Sequence, residues 1–385
     1  MSVACGAHVL HDGFTDLLYV LLPLWQAEFG LGYAAVGLLR ALYVGSMASF
    51  QLPAGIIAER FGGPLILGLG TALAGIGYLA AGTSVGFGML AGALILGGLG
   101  SGVQHPIAAN LVSLAYSGSR SRTALARYNF SGDLGKMAFP AATAWLITLM
   151  PWRAATMAIG LVGLLAALAI LVVRGLPSYR GISKAASSQP PIATAAPRAR
   201  GFWLLLAIAM TDSATRMGFL TFLPFLLRAK GAGVPEIGIA LTLVFAGGAA
   251  GKLVCGFLGA RLGVLATVLL TEGATAAGIL ALLPLPVGAS LAILPVIGIA
   301  LNGTSSVLYG TVPELVTEQQ RETAFGMFYT GTIGAGALSP ALYGLFGDAF
   351  GLTPAMLLVA AVVLLTLPLA WWLTRVLKAA DQRRA

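Results

Sequence analysis

Residues 154–173 read AATMAIGLVGLLAALAILVV, twenty positions without one charged side chain. A helix of about 20 apolar residues crosses the roughly 30 Å hydrocarbon layer of a bilayer. The next stretch, Arg174 to Arg200, has the opposite character. It carries Pro177, Pro190, Pro191 and Pro197 among Ser and Ala, with five basic residues (Arg174, Arg180, Lys184, Arg198, Arg200) and no acid. An apolar span running into a basic, proline-rich connector reads as the end of one membrane bundle and the start of a flexible linker. Working outward from this junction in both directions gives twelve apolar segments. Their cores are 9–29, 36–57, 65–82, 86–112, 124–149 and 154–173, then 203–227, 237–258, 264–283, 288–311, 324–346 and 353–375. The expectation is an all-α polytopic membrane protein with twelve transmembrane helices in two pseudo-symmetric six-helix bundles.

Composition agrees. The 385 residues are 58% hydrophobic and only 9% charged, with a mean hydropathy of +0.91. A soluble domain carries about 25% charged residues, and a water-facing surface cannot be made from so few. The 52 glycines show no Gly-X-Y period. Soluble enzyme, nucleic-acid binder and secreted scaffold are all disfavoured, and the net charge of +9 is better read from its placement than from its sum. With the linker in the cytoplasm, 15 of the 22 basic residues fall on that side. Only Arg153, Arg228 and Lys230 fall opposite, and Arg40, Lys136, Arg216 and Lys252 lie inside segments. This asymmetry places both termini in the cytoplasm and the chain, multi-pass, in the cell inner (plasma) membrane. Met1 to Leu10 has no basic n-region, so no signal peptide is expected. Cys5 and Cys255 are far apart and read as small buried hydrophobes.

The two halves resemble each other at an offset of about 200. Asp12-Gly-Phe-Thr15-Asp16 recurs as Asp212-Ser-Ala-Thr215-Arg216. Thr123-Ala124 and Pro140-Ala141 recur as Thr323-Ala324 and Pro340-Ala341. Gly55-Ile-Ile-Ala-Glu59-Arg60-Phe-Gly62 recurs as Gly256-Phe-Leu-Gly-Ala260-Arg261-Leu-Gly263. Three weak matches in one order indicate a duplicated six-helix unit, an arrangement found in transporters. The expected division is an N-terminal bundle at 1–175, a cytoplasmic linker at 176–200 and a C-terminal bundle at 201–385.

The Gly-x-x-x-acid-Arg-x-Gly loop resembles the signature of the major facilitator superfamily. That resemblance implies a twelve-helix secondary transporter, with Glu59, Arg60 and Arg261 in a cytoplasmic gate bracing helix ends. The second copy carries Ala260 in place of the acid. Gly100-Ser101-Gly102-Val103-Gln104-His105-Pro106 and Asn129-Phe-Ser-Gly132-Asp-Leu-Gly135, together with His11, Asp12, Leu22 and Pro23, resemble the fosmidomycin-resistance branch of proton-driven exporters. Asp133, Lys136 and Phe139 depart from that branch.

A charge at a helix centre costs about 2.5–3.5 kcal/mol on insertion scales, so each requires a reason. His8, Asp12 and Asp16 are spaced by four and share one face of the first helix, with His11, Thr15 and Tyr19 beside it. Two nearby carboxylates in a low dielectric do not both ionise readily. Asp12, Asp16, His11 and Asp133 are therefore the proton-coupling candidates, with histidine as a relay. Asp16 also reads as a structural partner for Arg216 through pseudo-symmetry. Arg40, His105, Tyr128, Asn129, Lys136, Asp212 and Arg216 are the substrate-binding candidates. Lys136 or Arg40 would hold an anionic group, although Asp133 and Lys136 could equally neutralise each other. Lys252 and Glu272 read as a structural pair, and Gly247, Gly248, Gly251, Gly331, Gly334 and Gly336 as close-packing positions.

Gly247 to Leu253 fails as a phosphate loop, because Ala246 and Leu253 replace a required Gly and Ser/Thr. No zinc spacing and no nucleophile elbow occur. The expected function is proton-coupled secondary transport of a small organic solute by alternating access. Export, as an antiporter, is the first reading and uptake by proton symport the second. The expected partners are a small-molecule substrate, protons and the lipid bilayer, with no cofactor, no metal, no nucleic acid, no enzymatic activity and a monomeric state.

Overall fold

The structure is a computed structural model that describes residues 1–116, 119–174 and 200–382. The expected linker, 176–200, lies outside the described residues apart from Arg200. So do Arg383 and Arg384. Every described element is helical: α1 Ser2–Phe29, α2 Tyr33–Phe61, α3 Gly63–Gly82, α4 Phe87–Ser101, α5 Gln104–Ala115, α6 Ser119–Leu149 and α7 Trp152–Arg174. These are followed by α8 Arg200–Ala229, α9 Val234–Leu282, α10 Val287–Thr311, α11 Arg321–Phe350, α12 Leu352–Val363 and α13 Thr366–Gln382, with two short 3₁₀ turns at Val312–Glu314 and Glu318–Gln320. The expected apolar cores fall inside these helices to within a residue at the ends.

Three cores are modified, each for a local reason. The segment at 86–112 is interrupted between α4 and α5. Pro106 has no N–H to return to the Gly102 carbonyl, so the regular ladder fails there. The segments at 237–258 and 264–283 run on as α9, whose two arms meet at Gly263 with φ 78°. The last segment steps from α12 to α13 at Leu364 and Leu365.

Gly263 has a counterpart in Gly62, with φ 93°. Both end the Gly-x-x-x-x-Arg-x-Gly loops, and both adopt a left-handed backbone that a Cβ would penalise. The repeated glycine is therefore a turn requirement. Pro23 in α1 and Pro224 in α8 repeat at the offset of the two glycines, and Pro140 in α6 and Pro340 in α11 at an offset one residue shorter.

Two compact units emerge. The first contains residues 1–31, 38–189 and 233–242. In it α1 packs along α6, and α3 packs on α7 and α4. Glycines allow the close approach: a Cβ at Gly77 would strike the Gly97 backbone, and one at Gly75 the Gly160 carbonyl. Residues 233–242 join this unit through Thr242, whose hydroxyl donates to the Met137 carbonyl at 2.9 Å. The second unit contains 32–37, 190–232 and 243–385. There α8 packs on α11, α12 and α13. The Asp348 carboxylate accepts from the N–H groups of Tyr33 and Ala34, at 2.6 and 3.0 Å, capping the start of α2. Gly247, Gly248, Gly251, Gly331 and Gly336 all lie at close approaches, whereas Gly334 faces open space.

Among the described residues, seven helical stretches are long and apolar enough to cross a membrane by length and composition alone. The long helices α1, α6, α8 and α11 are not among them. The first three carry most of the buried ionisable groups: His8, His11, Asp12 and Asp16 in α1, Asp133 in α6 and Asp212 in α8, with Arg40 in α2 and Glu272 in α9 buried as well.

Candidate functional site

In the first unit, Asp12 sits midway along α1 among three cationic or potentially cationic groups. His8 Nε2 is 3.3 Å from Oδ2, Lys136 Nζ is 3.4 Å from Oδ2, and His105 Nε2 is 3.7 Å from Oδ1. Asp12 is 8% exposed and His8 5%. The cluster draws on α1, α5 and α6. Gly132 of α6 makes room for it, since a Cβ there would strike both His8 Nε2 and Asp12 Oδ2. His8 also stacks on the Tyr128 ring at 4.2 Å and meets His105 edge-on at 5.4 Å. Gln104 donates to the Tyr128 hydroxyl at 2.7 Å.

The hydrogen bonds assign the protons. His8 Nδ1 lies 2.8 Å from the Tyr128 carbonyl, which can only accept, so Nδ1 carries a hydrogen. In the neutral ring Nε2 then has a lone pair facing the Asp12 carboxylate. Only a doubly protonated His8 donates to Asp12. The contact between α1 and its own carboxylate is thus made or broken by one proton.

His11, the expected proton relay, is placed differently from His8. Thr71 donates its hydroxyl hydrogen to the Leu67 carbonyl, so its oxygen accepts from His11 Nε2 at 2.9 Å. His11 Nδ1 then accepts from Ser101 at 3.4 Å, and Ser101 accepts from the Tyr43 hydroxyl at 2.8 Å. The neutral ring satisfies every partner in this chain, so His11 ties α1 to α3 and α4. His8 and His105 are the imidazoles within 4 Å of the Asp12 carboxylate.

A turn further along α1, Asp16 lies 3.6 Å from Arg40 Nη2, which also donates to the Tyr19 hydroxyl at 2.9 Å. Arg40 is 2% exposed, and its Nε and Nη1 are buried with no hydrogen-bond partner. Arg40 is thus an ion-pair partner that keeps donor capacity. Asp133 is buried on α6, and Asn129 is exposed on the same helix. Glu59 and Arg60 are exposed at the end of α2, where the Arg60 guanidinium lies 5.4 Å from the Phe61 ring centre. Arg261 is exposed at the corresponding end of the first arm of α9, 4.3 Å over Phe257.

In the second unit, Asp212 lies 3.9 Å from Arg216 Nη2, one turn along α8. Glu272, from the second arm of α9, faces Asp212. Lys252 is exposed on the first arm, so the expected Lys252–Glu272 pairing gives way to a carboxyl pair. His8 and Glu272 are the two site residues that the sequence reading left out of its candidate set. The signal for His8 was its four-residue spacing from Asp12. For Glu272 it was the repeat offset, which aligns Glu272 with Thr71.

Three comparisons bear on this geometry. The profile of the Major Facilitator Superfamily matches residues 4–226 and, again, 202–384. The fosmidomycin resistance protein of Escherichia coli (strain K12) is 29% identical over 143 residues, which is 37% of this chain and 34% of that protein. An uncharacterised MFS-type transporter of Mycobacterium tuberculosis is 26% identical over 160 residues, 41% of this chain and 27% of that protein. The chain thus spans about a third or less of the length of the curated relatives it matches. In fold, it is similar to a bacterial homologue of the human lysosomal transporter Spinster. For the inward-facing, unoccupied crystal structure of that homologue the TM-score is 0.78, and for the occupied one 0.76. Identity is 17%, and 97% of this chain and 96% of the other are covered in each case. A family profile that accounts for both halves, on an all-α polytopic fold, settles the assignment: this chain belongs to the Major Facilitator Superfamily.

Proposed function

We propose that the chain is a proton-coupled secondary transporter that exports a small organic solute bearing an anionic group. The observation that carries the reading is Asp12, buried on α1 and ringed by His8, His105 and Lys136. A proton taken up there changes which of these groups it pairs with, and so changes the contact of α1 with α5 and α6. Coupling follows if the inward-open and outward-open states hold that proton with different affinity. The membrane potential adds about 2.3 kcal/mol per charge per 100 mV, enough for one proton to drive a gradient. Asp16 and Asp133 complete the set of acids through which coupling runs, and His11 holds α1 in register beside them.

Arg40, with two buried donors unmet, and Lys136 supply the positive charge for an anionic substrate. His105, Tyr128 and Asn129 in the first unit, and Asp212 and Arg216 in the second, supply further polar contacts. Glu59, Arg60 and Arg261, exposed at helix ends, act as the cytoplasmic gate. The chain is organised as bundles 1–175 and 201–385 joined by a cytoplasmic linker at 176–200, and works as a monomer in the cell inner membrane with both termini inside. The similarity to the fosmidomycin resistance protein supports export as the direction.

The test is a liposome assay with the purified protein under an imposed pH gradient, screening pooled metabolites and antibiotics for proton movement. Substrate-dependent proton flux that disappears in Asp12→Asn supports the reading. Substrate flux indifferent to pH refutes coupling. For direction, deletion that sensitises cells to toxic compounds supports export, whereas deletion that causes auxotrophy supports uptake.

A further inference from the structure

The second unit contains a buried acid pair that the reading above does not use as such. Asp212 on α8 is 4% exposed and Glu272 on α9 is 1% exposed. The two carboxyls face each other. Two carboxylates in direct contact repel strongly in a low-dielectric interior, unless a proton or a full complement of cations lies between them.

The surroundings do not supply that complement. Among the described residues, Arg216 is the one cation facing the pair, 3.9 Å from Asp212. The other groups that face it are the Cys255 thiol on the first arm of α9 and the Thr304 hydroxyl on α10. Thr304 also donates to Thr271 at 2.7 Å. The chain has only three histidines, His8, His11 and His105, and all belong to the first unit. Fully ionised, the site would be two negative charges against one positive. One proton makes it neutral.

A second observation points to where that proton sits. Glu272 Oε1 is buried and has no hydrogen-bond partner. An ionised carboxylate leaves such an oxygen at a large desolvation cost, whereas a neutral carboxylic acid leaves it at little. A protonated Glu272 would instead donate through its other oxygen to Asp212, which keeps its ion pair with Arg216.

We infer that Asp212 and Glu272 form a shared-proton site in the second unit, with Glu272 as the carboxylic acid and Asp212 as the carboxylate. The repeat supports a matching placement. Asp212 is the counterpart of Asp12, and Glu272 stands where the first half has Thr71, the partner of His11. The same helix pairing thus carries a neutral hydroxyl–imidazole link in one half and an acid pair in the other. The inference goes beyond transport and does not depend on it.

The experiment reads the proton directly, by infrared spectroscopy of the purified protein in liposomes at neutral pH. A protonated carboxylic acid gives a C=O stretch, shifted in D₂O, that a carboxylate lacks. The expected result is such a band in the wild type, lost in Glu272→Gln, displaced in Asp212→Asn and retained in Asp12→Asn. The Gln side chain keeps the size of Glu, and a melting curve checks that the variant folds. Wild-type and Glu272→Gln spectra that coincide in the carboxylic-acid region would overturn the inference. So would a band unmoved by Asp212→Asn. Because Asp12 is varied separately, loss of pH-driven transport in Asp12→Asn does not bear on this outcome.

Discussion

His8 and His11 stand three positions apart on α1, and the hydrogen-bond network gives them different tasks. His8 Nδ1 is committed to the Tyr128 carbonyl, so its second nitrogen bonds to Asp12 only when one proton lies between them, on the imidazole or on the carboxyl. His11 has both nitrogens engaged by hydroxyls in its neutral form. Substituting each by Gln separates the roles. His8→Gln keeps a side chain that can donate to Asp12 but cannot titrate, so pH-driven flux in liposomes should be lost while the melting temperature changes little. His11→Gln should retain pH-driven flux and lose stability, by about 1–3 kcal/mol for buried hydroxyls left poorly matched. Equal loss of flux in both variants would contradict the assignment. Periodicity alone did not separate these residues. It placed His8, Asp12 and Asp16 on one face and His11 on the next, but which hydroxyls reach His11 depends on α3 and α4.

At the scale of the element, the positions of the helices were legible because an apolar run of membrane length has few alternatives in a chain with so little charge. The breaks were less legible. Pro106 announced the interruption between α4 and α5, while the step at Leu364 and Leu365 has no comparable mark in the sequence. Partnerships across helices were the least legible. Lys252 and Glu272 are opposite charges on neighbouring segments, yet they lie on different arms of α9, and Glu272 turns to Asp212. Sequence distance and sign do not encode which way a helix face points. The repeated loop, by contrast, carries its own structural reason in Gly62 and Gly263. Gly62→Ala and Gly263→Ala should each destabilise the protein by about 1–2 kcal/mol, because the left-handed backbone strains any Cβ. A Cβ at Gly256 meets open space, and its φ is not left-handed. Gly256→Ala should therefore be nearly neutral in the same thermal-melting assay. Similar losses at Gly256 and Gly263 would remove the turn explanation for the motif.

For the whole molecule, orientation is the property most open to direct test. The proposal rests on where the cations lie, and two of the three basic residues assigned to the outer side are held in place. Arg153 pairs with Glu28 at 2.7 Å and donates to the Ser84 carbonyl at 3.0 Å, joining the end of α1 to the turn after α3. Lys230 donates to the Leu282 and Leu285 carbonyls, where the end of α9 needs cations. Cations bound locally in this way answer a structural need, so they do not weigh against an inside assignment for the linker. Val85, 85% exposed between α3 and α4, should then face outward, and Ser187 in the linker should face the cytoplasm. In a Cys5→Ala, Cys255→Ala background, Val85→Cys should react with a membrane-impermeant maleimide on intact cells. Ser187→Cys should react only after the membrane is opened. The reverse pattern would invert the topology, and with it the side on which Glu59, Arg60 and Arg261 could act as a gate. Labelling of both positions from outside would exclude the proposed cytoplasmic linker altogether. The pattern expected here puts the basic linker and the signature loops on one face, which is what a cytoplasmic gate at those loops requires.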